Sequence, residues 1–198
     1  MKKILIITLV LLFVSGMLYA QAAKEGTKIG LGISFGKEPV MAMMSTLDFP
    51  TFYIPIQVNP TIRIEPELGY FKYSESNSVS ETQTIMVYGA GIFYTKWYGK
   101  CDLYFGGRIQ MYNSSEKYEN ADAPDMDYEV KESDMVISPA LGGECWCCDH
   151  VSFGGELQFN YIKFGEAKYD PAPENQDEEK ITESVMKFKG LLFIRWWF

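Results

Sequence analysis

Histidine and cysteine are scarce in this chain. It has a single histidine, His150, and four cysteines, all between positions 101 and 148. That excludes most histidine-rich metal enzymes. Basic charge is also short: 18 lysines and arginines stand against 26 aspartates and glutamates, for a net charge of −8. A broadly basic nucleic-acid binder is therefore excluded. Past residue 22 no apolar run is long enough for a membrane helix, which needs about 20 residues. Helical periodicity, low-complexity tracts and nucleotide, haem or flavin motifs are absent too. Any later contact with a membrane interior must be made by strands.

What is present is apolar and aromatic. Hydrophobic residues make up 47% of the chain, with 13 Tyr and 13 Phe, too many for a disordered protein. Residues 1–22 read MKKILIITLVLLFVSGMLYAQA. They combine Lys2 and Lys3, an apolar run from Ile4 to Val14, and the small-x-small site Ala20-Gln21-Ala22. This is the pattern of a secretory signal peptide cut before Ala23. Residues 23–198 then form one domain, with a net charge of −10 because the leader takes two lysines with it.

Period 2 runs through nearly all of that domain. In the last segment Met186, Phe188, Leu192, Ile194, Trp196 and Phe198 share one face, and Lys187, Lys189 and Arg195 share the other. From Val151 the same alternation sets Phe153, Leu157, Phe159 and Tyr161 against Glu156, Gln158 and Asn160. Further alternating segments cover 28–35, 52–58, 62–70, 103–111 and 135–145. Segment 82–96 is apolar on both parities, so its faces stay unassigned. The turns Asn59-Pro60, Tyr98-Gly99-Lys100 and Cys148-Asp149-His150 are short, whereas 36–50, 74–81, 114–132 and 165–181 are longer or polar. The pattern predicts eight antiparallel strands in up-and-down order, with long loops at one end and short turns and both termini at the other.

Charge on the polar faces suits a soluble barrel and a membrane barrel alike. Length separates them, because the apolar faces match the roughly 9–11 residues of a tilted membrane strand. The expected lipid-facing residues include Ile62, Ile109, Leu157, Phe159, Leu192 and Ile194. All four tryptophans, Trp97, Trp146, Trp196 and Trp197, fall at the short-turn end. That predicts an aromatic girdle there, with Tyr70, Tyr112, Tyr161 and Phe164 as candidates for the opposite one. Pro55, Pro66 and Pro139 lie within strands, where each removes a ladder donor.

On these residues the chain resembles the eight-stranded outer-membrane β-barrel family, the OmpA/OmpX-like group, over about residues 24–198. The most specific element is the terminal Phe198, preceded by Trp196, Ile194 and Leu192 on one face. The resemblance implies an all-β, eight-stranded antiparallel up-and-down transmembrane β-barrel in the outer membrane of a Gram-negative-type bacterium. It implies that Trp196 and Phe198 are an assembly signal read by the barrel-assembly machinery. Outer-membrane lipids and lipopolysaccharide would surround the wall.

A lumen of eight strands is just filled by side chains, and buried charges must pair. The polar faces bring Arg63, Arg108, Lys187, Lys189 and Arg195 together with Glu65, Glu67, Glu144 and Glu156. This predicts an interior ion-pair network rather than a catalytic carboxylate pair. In the repeated Gly-Gly-Glu runs, Gly142 and Gly154 would leave room for long side chains from across the barrel. A phosphate cradle there would need a following helix. Cys101, Cys145 and Cys147 leave three readings open: a disulfide from Cys101 to Cys145 or Cys147, a tightly spaced Cys/His zinc site, or free thiols.

Residues 114–133 carry a net −5 and residues 165–182 a net −4, so two loops hold nearly all the negative charge. They read as a solvated surface, or as a docking surface for a cationic ligand or for divalent cations held against lipopolysaccharide. The expected function is a structural or surface-interaction role for a monomeric barrel. No catalytic, cofactor-binding or metal residue is assigned, and no nucleic-acid partner is expected. The alternative is a narrow porin-like barrel passing small or apolar solutes. A histidine-dependent lipid-modifying enzyme is disfavoured, because His150 sits at the end away from the long loops.

Overall fold

A computed structural model of the chain describes residues 27–36, 50–76, 79–120, 127–171 and 184–198. The leader and most of the acidic segment 165–182 lie outside the described residues. The elements are β1 (Lys28–Gly36), β2 (Thr51–Tyr53), β3 (Ile56–Asn59), β4 (Ile62–Ser76), β5 (Val79–Tyr98), β6 (Cys101–Asn120), β7 (Tyr128–Trp146), β8 (Val151–Lys163), β9 (Lys168–Asp170) and β10 (Ser184–Trp197). Neighbouring strands pair antiparallel in chain order. β1 then pairs β10 from Gly30↔Trp197 to Gly36↔Leu191, which closes the barrel and removes its free edges. β2 and β3 both bridge β1 and β4, so they form one wall strand. The result is a closed eight-stranded barrel, with β9 added to β7 outside the ring. Between β5 and β6, Gly99 adopts φ 67°, the left-handed conformation that a two-residue hairpin turn demands.

Proline explains why the second wall strand is split. Pro55 and, across from it on β4, Pro66 both lack an N–H, so the ladder loses donors at Ile54–Pro55. Two bonds carry the register over the gap: the Gly30 amide donates to the Pro55 carbonyl (2.8 Å) and the Ile54 amide to the Pro66 carbonyl (2.9 Å). Pro139 acts similarly. Pairing of β7 with β8 stops at Ile137↔Tyr161 and resumes at Ala140↔Gln158.

The wall is apolar outside and charged inside. Ile62, Ile109, Leu157, Phe159, Leu192 and Ile194 all point outward, Leu192 with 71% of its surface exposed, while Arg195 and Glu156 are buried. An apolar band of this extent matches lipid rather than water. β5 also resolves: Ile85, Val87 and Phe93 face the lumen, and Met86, Tyr88, Ile92 and Tyr94 face out. The lumen has two apolar clusters. Towards the turn end lie Tyr53, Phe93, Tyr104, Ala140, Leu191 and Phe193. Towards the loop end lie Ile85, Val87, Tyr112, Val136 and Ile162, with Phe71 and Phe164 packed against them.

The structure corrects both girdle assignments in part. Trp97 and Trp196 are exposed, but Trp197 is buried in the lumen and Trp146 lies between Trp97 and Trp197 at centroid distances of 6.0 and 5.4 Å. At the other rim Tyr70 and Tyr161 face out, whereas Tyr112 and Phe164 belong to the inner apolar cluster. The segments expected as loops at 74–81 and 114–132 are also largely strand. β5 and β6 run for 20 residues each, about twice the span of a bilayer strand, so β4–β7 continue as a sheet beyond the barrel mouth.

Candidate functional site

The inward positions of β4, β6, β7, β8 and β10 converge on one charged cluster near the barrel floor. Glu65 on β4 sits at its centre. Its Oε1 lies 2.7 Å from Arg63 Nε and 2.6 Å from Arg195 NH2, and its Oε2 accepts from Arg108 NH2 at 2.6 Å. Arg108 on β6 also donates to Glu156 Oε1 through Nε (2.8 Å) and to Glu67 Oε2 through NH1 (3.0 Å). Arg63 NH1 donates to Glu144 Oε2 at 2.8 Å, and Arg195 NH1 bonds the same oxygen. A planar guanidinium with five donors suits this role, since one side chain can serve several carboxylates at once.

Aromatic and polar groups complete the coordination. Tyr104 donates its hydroxyl to Glu156 Oε2 at 2.9 Å, and Gln158 donates to Glu156 Oε1 at 2.7 Å. Trp197 Nε1 donates to Ser152 Oγ at 2.9 Å, and Ser152 in turn bonds Glu144. The Arg63 and Arg195 guanidinium carbons lie 4.3 Å from the Tyr104 ring and 4.0 Å from the Phe193 ring. Gly142 makes room for this shell, because a Cβ there would collide with the Tyr104 ring. The space that Gly142 leaves is thus filled by a ring from the adjacent strand rather than from across the barrel.

Eight of the nine residues expected in the network are buried together: Arg63, Glu65, Glu67, Arg108, Glu144, Glu156, Lys189 and Arg195. Lys187 faces the lumen nearer the loop end, half-buried, and makes none of these ion pairs. Four glutamates face three arginines and Lys189, so the buried cluster is formally neutral. Tyr53, Tyr104, Ser152, Gln158 and Trp197 were not assigned from the sequence. Inward parity was their only signal.

Below the cluster, Cys101 and Cys145 form a disulfide between directly opposed residues of β6 and β7. Cys147, the other candidate partner for Cys101, is an exposed thiol beside Cys148, also free. Among the described residues no three His, Cys, Asp or Glu side chains converge as a metal site. Trp196 and Phe198 are exposed on the outer face, and the Phe198 amide donates to the Ile29 carbonyl at 2.9 Å. A cavity beside the network, lined in part by Glu67, Arg108, Gln158 and Lys189, measures about 10 Å³, room for about one water.

No protein-family model matches the chain, and no curated protein matches it in sequence. Solved structures do match it in shape. A major outer membrane protein of Thermus thermophilus superposes with a TM-score of 0.59 at 9% identity, over 88% of this chain and 100% of that one. Neisserial surface protein A gives 0.51 at 13% identity, over 87% and 97%. The Yersinia pestis attachment invasion locus protein Ail, in complex with the heparin analogue sucrose octasulfate, gives 0.52 at 11% identity, over 87% and 97%. The polypeptide closes as an eight-stranded antiparallel barrel with charge inside and an apolar band outside, and its fold is that of the eight-stranded outer-membrane β-barrels.

Proposed function

We propose that this protein is a closed, non-conducting barrel of a bacterial outer membrane that acts at the cell surface through the sheet above its mouth. The filled lumen carries the reading. A formally neutral cluster of buried ion pairs occupies the floor, and the layer of Ile85, Val87, Tyr112, Val136 and Ile162 lies between it and the loop end. An ion crossing here would have to part buried guanidinium–carboxylate pairs and then pass an apolar constriction. The network's role on this reading is to hold the wall strands in register. The leader would direct export, Trp196 and Phe198 would present the assembly signal, and the apolar band would meet lipid and lipopolysaccharide, with the barrel monomeric.

The acidic character of the extension sets this surface apart from one suited to polyanions such as the sulfated sugar bound by Ail. Planar-bilayer recording on the refolded full-length protein tests the closed lumen. The expected result is no stable conductance step. Regular steps, abolished by bulky substitutions in the lumen, would favour the porin-like alternative.

A further inference from the structure

The sheet formed beyond the barrel by β4–β7 and β9 has a mixed face, where lysines alternate with Glu119, Glu129 and Asp170, and a face without described cations. Every lysine described on this extension, Lys72, Lys117, Lys131 and Lys168, lies on the outer face, as the pairs Lys72↔Thr84, Thr82↔Lys117, Ser115↔Lys131 and Lys131↔Lys168 show. The other face continues the lumen wall. It carries Glu75, Glu81, Glu116 and Glu132, together with Tyr73, Tyr118, Tyr128 and Tyr169. Glu75 stands directly opposite Glu81, a like-charged cross-strand pair that costs stability. Tyr118 and Tyr128 stack at 4.7 Å with an interplanar angle of 21°, giving a flat aromatic platform beside Glu81 and Glu116.

A second observation points to a ligand that donates hydrogen bonds. Gln83, on the same face and 1% exposed, donates its Nε2 to Glu116 Oε1 at 2.7 Å. That bond fixes the amide orientation and leaves Gln83 Oε1 buried without a partner. The face therefore offers carboxylates and π surfaces, with an unused carbonyl oxygen buried at its base, and no lysine or arginine among its described residues. Its complement is a cation rich in N–H groups. A guanidinium fits both features, because it forks onto carboxylates and stacks on aromatic rings. The acids are spread over four strands, about 14 Å at the usual strand spacing, which suits several cations along a chain better than one metal ion.

We propose that this face of the β4–β7 and β9 sheet docks an arginine-rich peptide segment of a partner protein. Glu81, Glu116 and Glu132 accept its guanidinium N–H groups, and Tyr118 and Tyr128 stack against them. The proposal rests on the surface-interaction reading above and adds a face and a ligand chemistry to it. Burial, with Glu116 and Glu81 adding, pushes the Tyr118 hydroxyl up to about 12, and burial beside Asp134 and Glu116 raises the Glu132 carboxyl. In both, burial comes first and neighbouring carboxylates add to it, and a bound guanidinium would offset that added part.

The test uses the full-length protein folded in zwitterionic micelles and a fluorescein-labelled nona-arginine peptide, followed by anisotropy at about 0.15 M salt. Gel mobility before and after heating verifies that each variant is folded. Glu81→Gln with Glu116→Gln should weaken binding by about tenfold, and Tyr118→Leu should weaken it with no change of charge. Glu119→Gln with Glu129→Gln removes the same charge from the outer face and should change affinity by less than about twofold. Equal losses from the two double variants overturn the face assignment and leave the surface-interaction reading standing. No binding by the wild type overturns both. Saturable binding of spermine with the same residue dependence, and none of the peptide, overturns the peptide assignment.

Discussion

The barrel floor and the sheet above its mouth hold ion pairs of nearly equal length and unequal consequence. Arg63 and Glu65 lie 2.7 Å apart with both side chains fully buried. Lys131 and Glu129 lie 2.8 Å apart with 53% and 28% of their side-chain surfaces exposed. Distance does not rank them; the solvent that waits on each carboxylate does. On the floor a charge that loses its partner stays in a low-dielectric interior. On the sheet, water takes the partner's place and salt screens what is left. The cations differ to match. The ion pairs named on the floor use Arg63, Arg108 and Arg195, and those named on the sheet use Lys117 and Lys131. Arginine's fork lets Arg108 reach Glu65, Glu67 and Glu156 together, whereas an ammonium acts as a point charge.

The comparison is most exposed at Arg108. Arg108→Ala removes one guanidinium from three buried carboxylates, of which Glu65 keeps Arg63 and Arg195, and should cost about 3–5 kcal/mol, read as a lowered urea midpoint in micelles. Arg108→Lys should recover only part of this, because the charge returns without the fork. A wild-type midpoint for the alanine variant would erase the distinction between floor and sheet. A smaller effect is expected at Gly142, where alanine would drive a methyl into the Tyr104 ring and loosen its bond to Glu156. Overpacking of this kind should cost about 1–3 kcal/mol. Its neighbour Gly143 is the control. A Cβ there meets Leu103 Cδ2 at 3.4 Å, an ordinary contact, so Gly143→Ala should unfold close to wild type.

The smallest effect belongs to the sheet. Hydrogen bonds from Lys131 and Ser115 hold the Glu129 carboxyl below the usual carboxylate range. A carboxyl depressed in the folded state contributes stability above its unfolded pKa and loses it as the pH falls through the folded value. Glu129→Gln should therefore lower the midpoint only slightly at neutral pH, because the pair is solvated. Any difference should vanish with added salt or in acid. Titration of the Glu129 carboxyl by NMR checks the direction of the shift. A salt-resistant drop in midpoint would place this pair with those on the floor.

Much of the wall was legible in the residues. Alternation over Val151–Tyr161 and Met186–Phe198 assigned both faces correctly, because a strand that is wet on one side and in lipid on the other must repeat every two residues. The extension was not legible for the complementary reason. Above the membrane both faces of β6 and β7 meet water, so residues 114–120 and 128–132 need no apolar parity and read like a loop. Trp146, Trp197, Tyr112 and Phe164 were misplaced because an aromatic residue near a strand end suits either a girdle or a lumen cap. One residue of register decides which way it points.

Taken by itself, the order of residues determined which side chains share a face, that eight strands line the wall and that most of the lumen charges are shut inside, since each of these follows from local backbone geometry and the cost of burying charge. It did not determine that Glu65 would serve three arginines while Lys187 joined none of these ion pairs, that Cys101 would meet Cys145, or that every described lysine of the upper sheet would stand on the face opposite Tyr118, Tyr128, Glu81 and Glu116. Those depend on register and closure, which set neighbours across strands far apart in sequence. Only the folded barrel supplies them.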